Sequence, residues 1–257
     1  MTSVSVAAYA GRVNEDFTGT VPHAAVLIDG AGIPGAVGVC RHGVAWYAAR
    51  LGGALLALLS RTPQGDLAAL LAAAIEQVTG EHRDTCDVTD PISPSAAVAV
   101  LRRSGGRLEH LVLGDAFVLI DRPGGSPLVV TDPREVVISR RYESLLRDVA
   151  ADSDGHRRLL RELRAHRNRP GGFWVAKDDP RAAAEAVTGS CPAADAALLS
   201  NGAARAVDPL RLLGWQDVLP VLAADGPGEI VRRVRPAEQR SGLSPDDATI
   251  AYCTGLF

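Results

Sequence analysis

The chain has almost no lysine, no large excess of charge of either sign, no long apolar run and no cysteine pair at zinc-binding spacing. Lys177 is the single lysine, so arginine carries the rest of the basic charge. Together with abundant alanine, this reads as the coding bias of a GC-rich genome. A formal net charge of -3 with 22% charged residues offers no basic face to a polyanion, so nucleic acid is not an expected partner. The longest apolar stretch, "VAWYAARLGGALLALL", is broken by Arg50 and a glycine pair, and it falls short of the ~20 apolar residues of a membrane span. No membrane partner is expected. The opening "MTSVSVAAYAGRVNED" has no basic segment followed by an apolar one, so it does not read as a signal peptide, and the expected location is the cytoplasm. Cys40, Cys86, Cys191 and Cys253 contain no Cys-x-x-Cys unit to seat zinc and are expected as free, mostly buried thiols.

What is present is a chain of 257 residues, 47% of them hydrophobic, enough to bury a sizeable core. A single domain over 1–257 is expected. "SVSVAAYA" alternates like a strand, "HAAVLIDG" is a near-continuous apolar strand ending in Asp29-Gly30, and "GAVGVC" is a further candidate. Helices are expected from about Val44 to Leu59 and from Asp66 to Thr79, the second with Asp66 at its start and Gly80 as its stop. From Ser95 to Asp132, four apolar segments are separated by turn residues and read as an antiparallel meander. The charged stretch Tyr142 to Arg169 has helical spacing, "FWVA" and "ADAALLS" read as strands, "GWQDVLPVLAA" and "PGEIVRRVRPAEQ" as helices, and "DATIAYCTG" as a last strand. No repeat is present. Two batches of strands with helices between them predict an α+β layered domain on antiparallel sheets.

Acidic residues stand at several of the predicted strand ends, where a rigid frame can present a side chain. They are Glu15 and Asp16 in "GRVNEDF", Asp29 in "VLIDGAG", and Asp246 with Asp247 in "SPDDATI". Each alone is an ordinary turn or cap residue. Brought together, with no histidine or cysteine beside them, they would form a hard, oxygen-rich cluster suited to Mg²⁺ or Mn²⁺.

The order "RVNEDF", "VLIDGAG", "LEHLVLGDAFVLI", "LLSNGAA", "DDATIAY" resembles that of the metal-dependent Ser/Thr protein phosphatases of type 2C over nearly the full chain. The resemblance implies a four-layer αββα sandwich of two antiparallel β-sheets flanked by helices, with a two-metal centre at one edge. It implies that Asp29 bridges both metals, that the Gly30 carbonyl and Glu15 complete one metal's protein ligands, and that Asp246 and the residue at position 201 bind the other. It makes Asp16 the holder of a metal-bound water and Arg12 the contact for the substrate phosphate, although Arg12 stands one residue closer to Asp16 than the family pattern. The implied reaction is phosphomonoester hydrolysis on a phosphoserine or phosphothreonine protein by a metal-activated water. The absence of Gly-x-Ser-x-Gly and Cys-x5-Arg signatures agrees with a reaction that needs no protein nucleophile.

One departure bears on the chemistry. Asn201 stands where the family's Ser-Asp-Gly segment has aspartate. A neutral amide removes a unit charge worth about 1 kcal/mol at contact in water and ~4 at an effective dielectric of 20, so a roughly ten- to several-hundred-fold loss of metal affinity follows. Smaller departures are Asp29-Gly30-Ala31-Gly32 in place of Asp-Gly-His-Gly, and Ser93-Pro94-Ser95 at a strand start. Three readings stand: a phosphatase with one weak metal site, a pseudophosphatase that binds a phosphoprotein or signalling partner, and an unrelated hydrolase that would leave Glu15, Asp29 and Asp246 far apart. Asp115, in "LGDAF", either touches a metal or caps its turn. His23 and His110 are expected at core edges, Trp46, Trp174 and Trp215 in the core, and the segment from Tyr142 to Arg169 as a flap. Oligomeric state and substrate are not legible.

Overall fold

The central strands are apolar on both faces, and the order of layers follows from that alone. The computed structural model describes residues 2–7, 12–32, 38–122, 124–150, 153–192 and 195–255. One five-stranded sheet runs β1 (Thr2–Ala7), β10 (Ala248–Cys253), β9 (Ala196–Leu199), β6 (Phe117–Ile120) and β7 (Leu128–Val130). The other runs β2 (Phe17–Val21), β3 (Ala24–Ala31), β4 (Ser95–Ser104), β5 (Arg107–Leu113) and β8 (Val187–Cys191). Each named pairing in both sheets is antiparallel.

Successive side chains of a strand point to opposite faces, and the buried clusters divide by that parity. Ala25 and Leu27 of β3 join Ala97, Ala99 and Leu101 of β4 in the layer between the sheets, where they meet Leu198 and Ala251. The alternate residues Val26, Ile28, Val98 and Val100 face outward, under α1 (Val44–Arg61) and α2 (Leu67–His82). On the far side, Leu199, Ile250 and Tyr252 are covered by α6 (Trp215–Asp225) and α7 (Pro227–Arg240), beside the short α5 (Asn201–Ala204). This is the expected four-layer αββα sandwich. Among the described residues no helix is long and apolar enough to cross a membrane.

The two long helices start and stop near their expected bounds. Asp66 caps α2 by accepting the Ala69 amide at 2.8 Å, and α2 runs through Gly80 to His82 because its apolar face stays buried to that point. The remaining differences have local causes. The meander Ser95 to Asp132 does form four strands, but they divide between the sheets, so the chain crosses from one layer to the other at Gly114-Asp115-Ala116. The candidate strand "GAVGVC" falls partly outside the described residues, and Gly38 to Cys40 form no strand. Phe173, Val175 and Ala176 of "FWVA" are buried, yet the segment makes only isolated bridges, Ala96 with Ala176 and Arg167 with Phe173; the sheet edge is taken by β8, whose polar "VTGSC" carries no apolar signal. The charged segment is two helices, α3 (Arg134–Arg147) and α4 (Asp154–Arg164), the first beginning where Asp132 accepts the Arg134 amide at 3.0 Å. Trp46, Trp174 and Trp215 pack half-buried against the clusters.

Leu27 is fully buried between the sheets. Leu27→Ala is expected to lower unfolding free energy by about 2–5 kcal/mol in urea titration; a cost below about 1 kcal/mol would mean that the inter-sheet layer is not close-packed.

Candidate functional site

Five strand ends meet at one edge of the sandwich. Antiparallel pairing sets the start of β2 beside the end of β3, through Phe17 and Ile28. It likewise sets the end of β9 beside the starts of both β10 and β6, through Leu199 with Ile250 and with Phe117. Glu15 and Asp16 therefore precede β2, Asp29 lies in the last pairs of β3, two residues before its end, Asp115 precedes β6, Asn201 follows β9, and Asp246 with Asp247 precede β10. Asp29 shares the parity of Ala25 and Leu27, so its carboxylate lies at the mouth of the inter-sheet layer.

Arg12, Glu15, Asp29, Gly30, Asn201 and Asp246 line one pocket of about 180 Å³, together with Asp115, Glu135 and Arg164. Six of the seven residues singled out from sequence thus face a single space; the condition for an unrelated hydrolase, a wide separation of Glu15, Asp29 and Asp246, is not met. Asp16 stands just behind, its Oδ2 accepting the Thr249 hydroxyl at 2.7 Å. Two glycines set the spacing. A Cβ on Gly30 would lie 2.2 Å from the Glu15 carbonyl oxygen, and one on Gly202 would lie 1.9 Å from that of Asp247. Those close backbone approaches bring the β2 and β10 entries against the β3 and β9 exits. Asp247 is the buried member of its pair, accepting the Glu15 amide at 2.8 Å, whereas Asp246 points into the pocket.

The electrostatics are those of crowded acids. Burial pushes the Asp29 carboxyl well above its ordinary range, and the negative charges of Asp16, Asp115 and Asp246 push it further; the Asn201 amide, donating to Oδ2 at 2.8 Å, opposes them. Asp16 is raised to about 6, chiefly by burial. Glu15 and Asp246 are raised for the same first cause, each moderated by an arginine, Arg12 and Arg205 respectively. Glu135 on α3 rises to about 7 through burial and the charge of Asp115, although it pairs with Arg164 of α4 at 3.0 Å. Oxygen donors that crowd in this way suit a hard divalent cation as counter-charge. Among the described residues, though, no three of these carboxylates hold oxygens within 4.8 Å of one another.

The two halves of the pocket differ. On the side of Glu15, Asp29 and Gly30, Arg12 is the nearby cation, with its Nη2 3.6 Å from Glu15 and 3.8 Å from Asp247. On the side of Asn201 and Asp246 the carboxylate is already engaged, while the Asn201 amide is oriented by its nitrogen. The Asn201 Nδ2 donates to Asp115 at 3.0 Å, and the Arg205 guanidinium donates to Asp246 Oδ2 at 2.9 Å while its other nitrogen holds the buried Glu238 at 2.6 Å. A protein cation therefore stands on the carboxylate expected to ligate the second metal. The donor chemistry fits a divalent ion on the first side and fits poorly on the second.

Arg205, Glu135 and Arg164 were missed from the sequence. Arg205 carried a signal, since it lies one helical turn after Asn201. Glu135 and Arg164 carried none: they reach the pocket only because α3 and α4 fold back over it, which brings part of the segment considered as a flap to the site.

No family model matches the chain, and no curated protein sequence does so significantly. Solved structures do match. The serine/threonine phosphatase PstP/Ppp of Mycobacterium tuberculosis is 18% identical, with a TM-score of 0.60 over 98% of this chain and 97% of that one. The catalytic domain of PstP in complex with two manganese ions matches with a TM-score of 0.62 over 98% and 96%, again at 18% identity. The PPM Ser-Thr phosphatase MsPP of Mycobacterium smegmatis matches with a TM-score of 0.58 at 15% identity, over 98% and 97%. At such identities the likeness is one of fold: this chain has the fold of the PPM, or type 2C, phosphatases from end to end.

A carboxylate whose pKa is raised from 3.8 to about 6 by folding binds its proton more tightly when folded. It therefore stabilises the protein at low pH, and that contribution is lost as pH rises from about 4 through about 6. With magnesium and manganese withheld, Asp16→Asn is expected to unfold about 1–3 kcal/mol less readily than wild type near pH 7.5, the two converging near pH 4, in urea titrations at each pH. Parallel pH profiles would show that Asp16 is not strained by its burial.

Proposed function

We propose that this chain is a metal-dependent phosphatase acting on phosphoserine or phosphothreonine in proteins, in the cytoplasm, with a weak second metal position. The observation that carries the reading is the convergence of Arg12, Glu15, Asp29, Gly30, Asn201 and Asp246 on one pocket at the edge of a phosphatase fold. Glu15, Asp29 and the Gly30 carbonyl would hold one Mg²⁺ or Mn²⁺, and Asp29, Asn201 and Asp246 the other. Bound there, the ions would polarise a phosphoryl oxygen and lower the pKa of an attacking water.

The protein's own groups do the rest. Arg12, on the rim, would hold two phosphoryl oxygens by its planar fork. Arg164 lines the same space from α4, held by Glu135 at 3.0 Å, and would add a second positive charge beside the phosphate. Asp16, oriented by the Thr249 hydroxyl and raised to about 6, would accept a proton from water near neutral pH.

A second reading rests on the guanidinium of Arg205 standing on Asp246. If Arg205 holds Asp246 permanently, the pocket binds a phosphorylated partner through Arg12 and Arg164 and does not turn it over.

Hydrolysis of an aryl phosphate and of a phosphothreonine peptide, followed across a Mn²⁺ titration, separates the two. On the first reading wild type requires Mn²⁺, Asn201→Asp and Arg205→Gln each lower the half-saturating Mn²⁺ concentration by roughly tenfold or more, and Asp29→Asn abolishes turnover. Glu238 keeps Arg235 as a partner at 2.8 Å, so Arg205→Gln does not strand it. Silence in wild type and in both of the first two variants, with phosphopeptide still bound in calorimetry, would establish the binding module.

A further inference from the structure

The four cysteines do not behave alike. Cys40 precedes α1 and Cys86 follows α2, far apart in sequence, yet their sulfurs converge with the Nδ1 atoms of two histidines. Cys86 Sγ lies 3.3 Å from His42 Nδ1, Cys40 Sγ lies 3.8 Å from His82 Nδ1, and Cys40 Sγ lies 3.9 Å from His42 Nδ1. One ligand atom from each of the four residues falls within 4.8 Å of all the others. None of the four lines the carboxylate pocket.

We propose that Cys40, His42, His82 and Cys86 form a tetrahedral Cys2His2 zinc site. Zinc bonds of about 2.3 Å to sulfur and 2.0–2.1 Å to nitrogen, at tetrahedral angles, put sulfur and nitrogen about 3.6 Å apart, and the three separations of 3.3, 3.8 and 3.9 Å bracket that value. Soft thiolates with imidazole select zinc over the hard ions that suit the carboxylates. The set is closed, with four protein ligands, as in a structural site rather than a catalytic one.

The surroundings suit such a staple. Cys40 and His82 are buried, the His42 ring stacks on Trp46 with centroids 4.3 Å apart, and the same indole packs on His82 at 5.2 Å. The Asp87 amide donates to the Val39 carbonyl at 2.9 Å, so the two ligand-bearing segments are already joined by the backbone. The site ties the entry of α1 to the exit of α2. Val44, the first residue of α1, packs against Gly30 and Gly32, which follow Asp29. Zinc here would fix the backbone that leads away from the carboxylate pocket.

The test is the metal content of the full chain, purified from zinc-supplemented cells and dialysed, by mass spectrometry of the elements. About one zinc per chain is expected, retained in Asp29→Asn and lost in the double variant Cys40→Ser/Cys86→Ser. Retention in the first variant separates this site from the carboxylate pocket, whatever reaction that pocket performs. Because the double variant could fail to fold, wild type refilled with Co²⁺ gives a second readout: thiolate-to-cobalt charge-transfer bands with the intense visible bands of a tetrahedral ion. Chelation of the wild-type zinc is expected to lower Tm by roughly 5–15 °C. Zinc below about 0.1 per chain with free thiols, zinc lost on Asp29→Asn but kept without the cysteines, or a mass about two daltons low from a Cys40–Cys86 disulfide would each overturn the proposal.

Discussion

Burying Asp29 at the mouth of the inter-sheet layer is the constraint around which this edge of the molecule is arranged. An isolated carboxylate there would be neutralised by its desolvation cost, and neighbouring acids deepen the penalty. The fold supplies partial compensation from the backbone, through the Asn201 main-chain amide, and the carboxyl stays well above its ordinary range. The two close backbone contacts, at Gly30 and Gly202, serve the same crowding, because the side chains of neighbouring strand ends can face one small pocket only if the main chains carrying them nearly touch.

The compensation is uneven. Around Glu15 the negative charge is met at the rim by Arg12, which approaches to 3.6 Å and leaves the carboxylate oxygens facing the pocket. Around Asp246 it is met by Arg205, at 2.9 Å and anchored to fully buried Glu238. Exchanging aspartate for asparagine at 201 lowers the charge of that half by one unit, and the arginine one turn later lowers it by another. The two residues act in one direction and stand at the two ends of one short helix, Arg205 just after its last residue. Both make the second half of the pocket less dependent on a metal for its folding stability, and both make it a poorer metal ligand set.

Much of this was legible in the residues. Asp29, Glu15 and Asp246 stood out because turn residues beside apolar runs mark strand ends, and the order of the segments resembled a known arrangement closely enough to fix the layers. What escaped were features that depend on parity and on return contacts. β8 is polar because it is an edge, so no hydrophobic pattern announced it. "FWVA" looked like a strand because burial, not sheet pairing, requires its side chains to be apolar. The four strands from Ser95 to Val130 looked like one sheet because a short turn at Gly114-Asp115 gives no hint that the chain changes layer there. Arg164 and Glu135 reach the pocket through the packing of α3 on α4, which local sequence does not encode.

The cysteines show the same limit in its plainest form. Spacing rules find metal sites whose ligands pair within one loop, and Cys40 with Cys86 do not. Yet each cysteine has a histidine close by in sequence, His42 two residues after one and His82 four before the other, so each segment carries a Cys-His pair and the fold has only to bring the pairs together. The backbone bond from Asp87 to Val39 does that without any metal. The entropy of closing the loop is then already met by the two-helix packing of α1 on α2, and a bound ion would add bond energy to a site that is largely formed. Hard oxygen donors at the carboxylate pocket and soft sulfur and nitrogen donors at the cysteine cluster would, on the proposals above, let the chain sort two kinds of ion by chemistry.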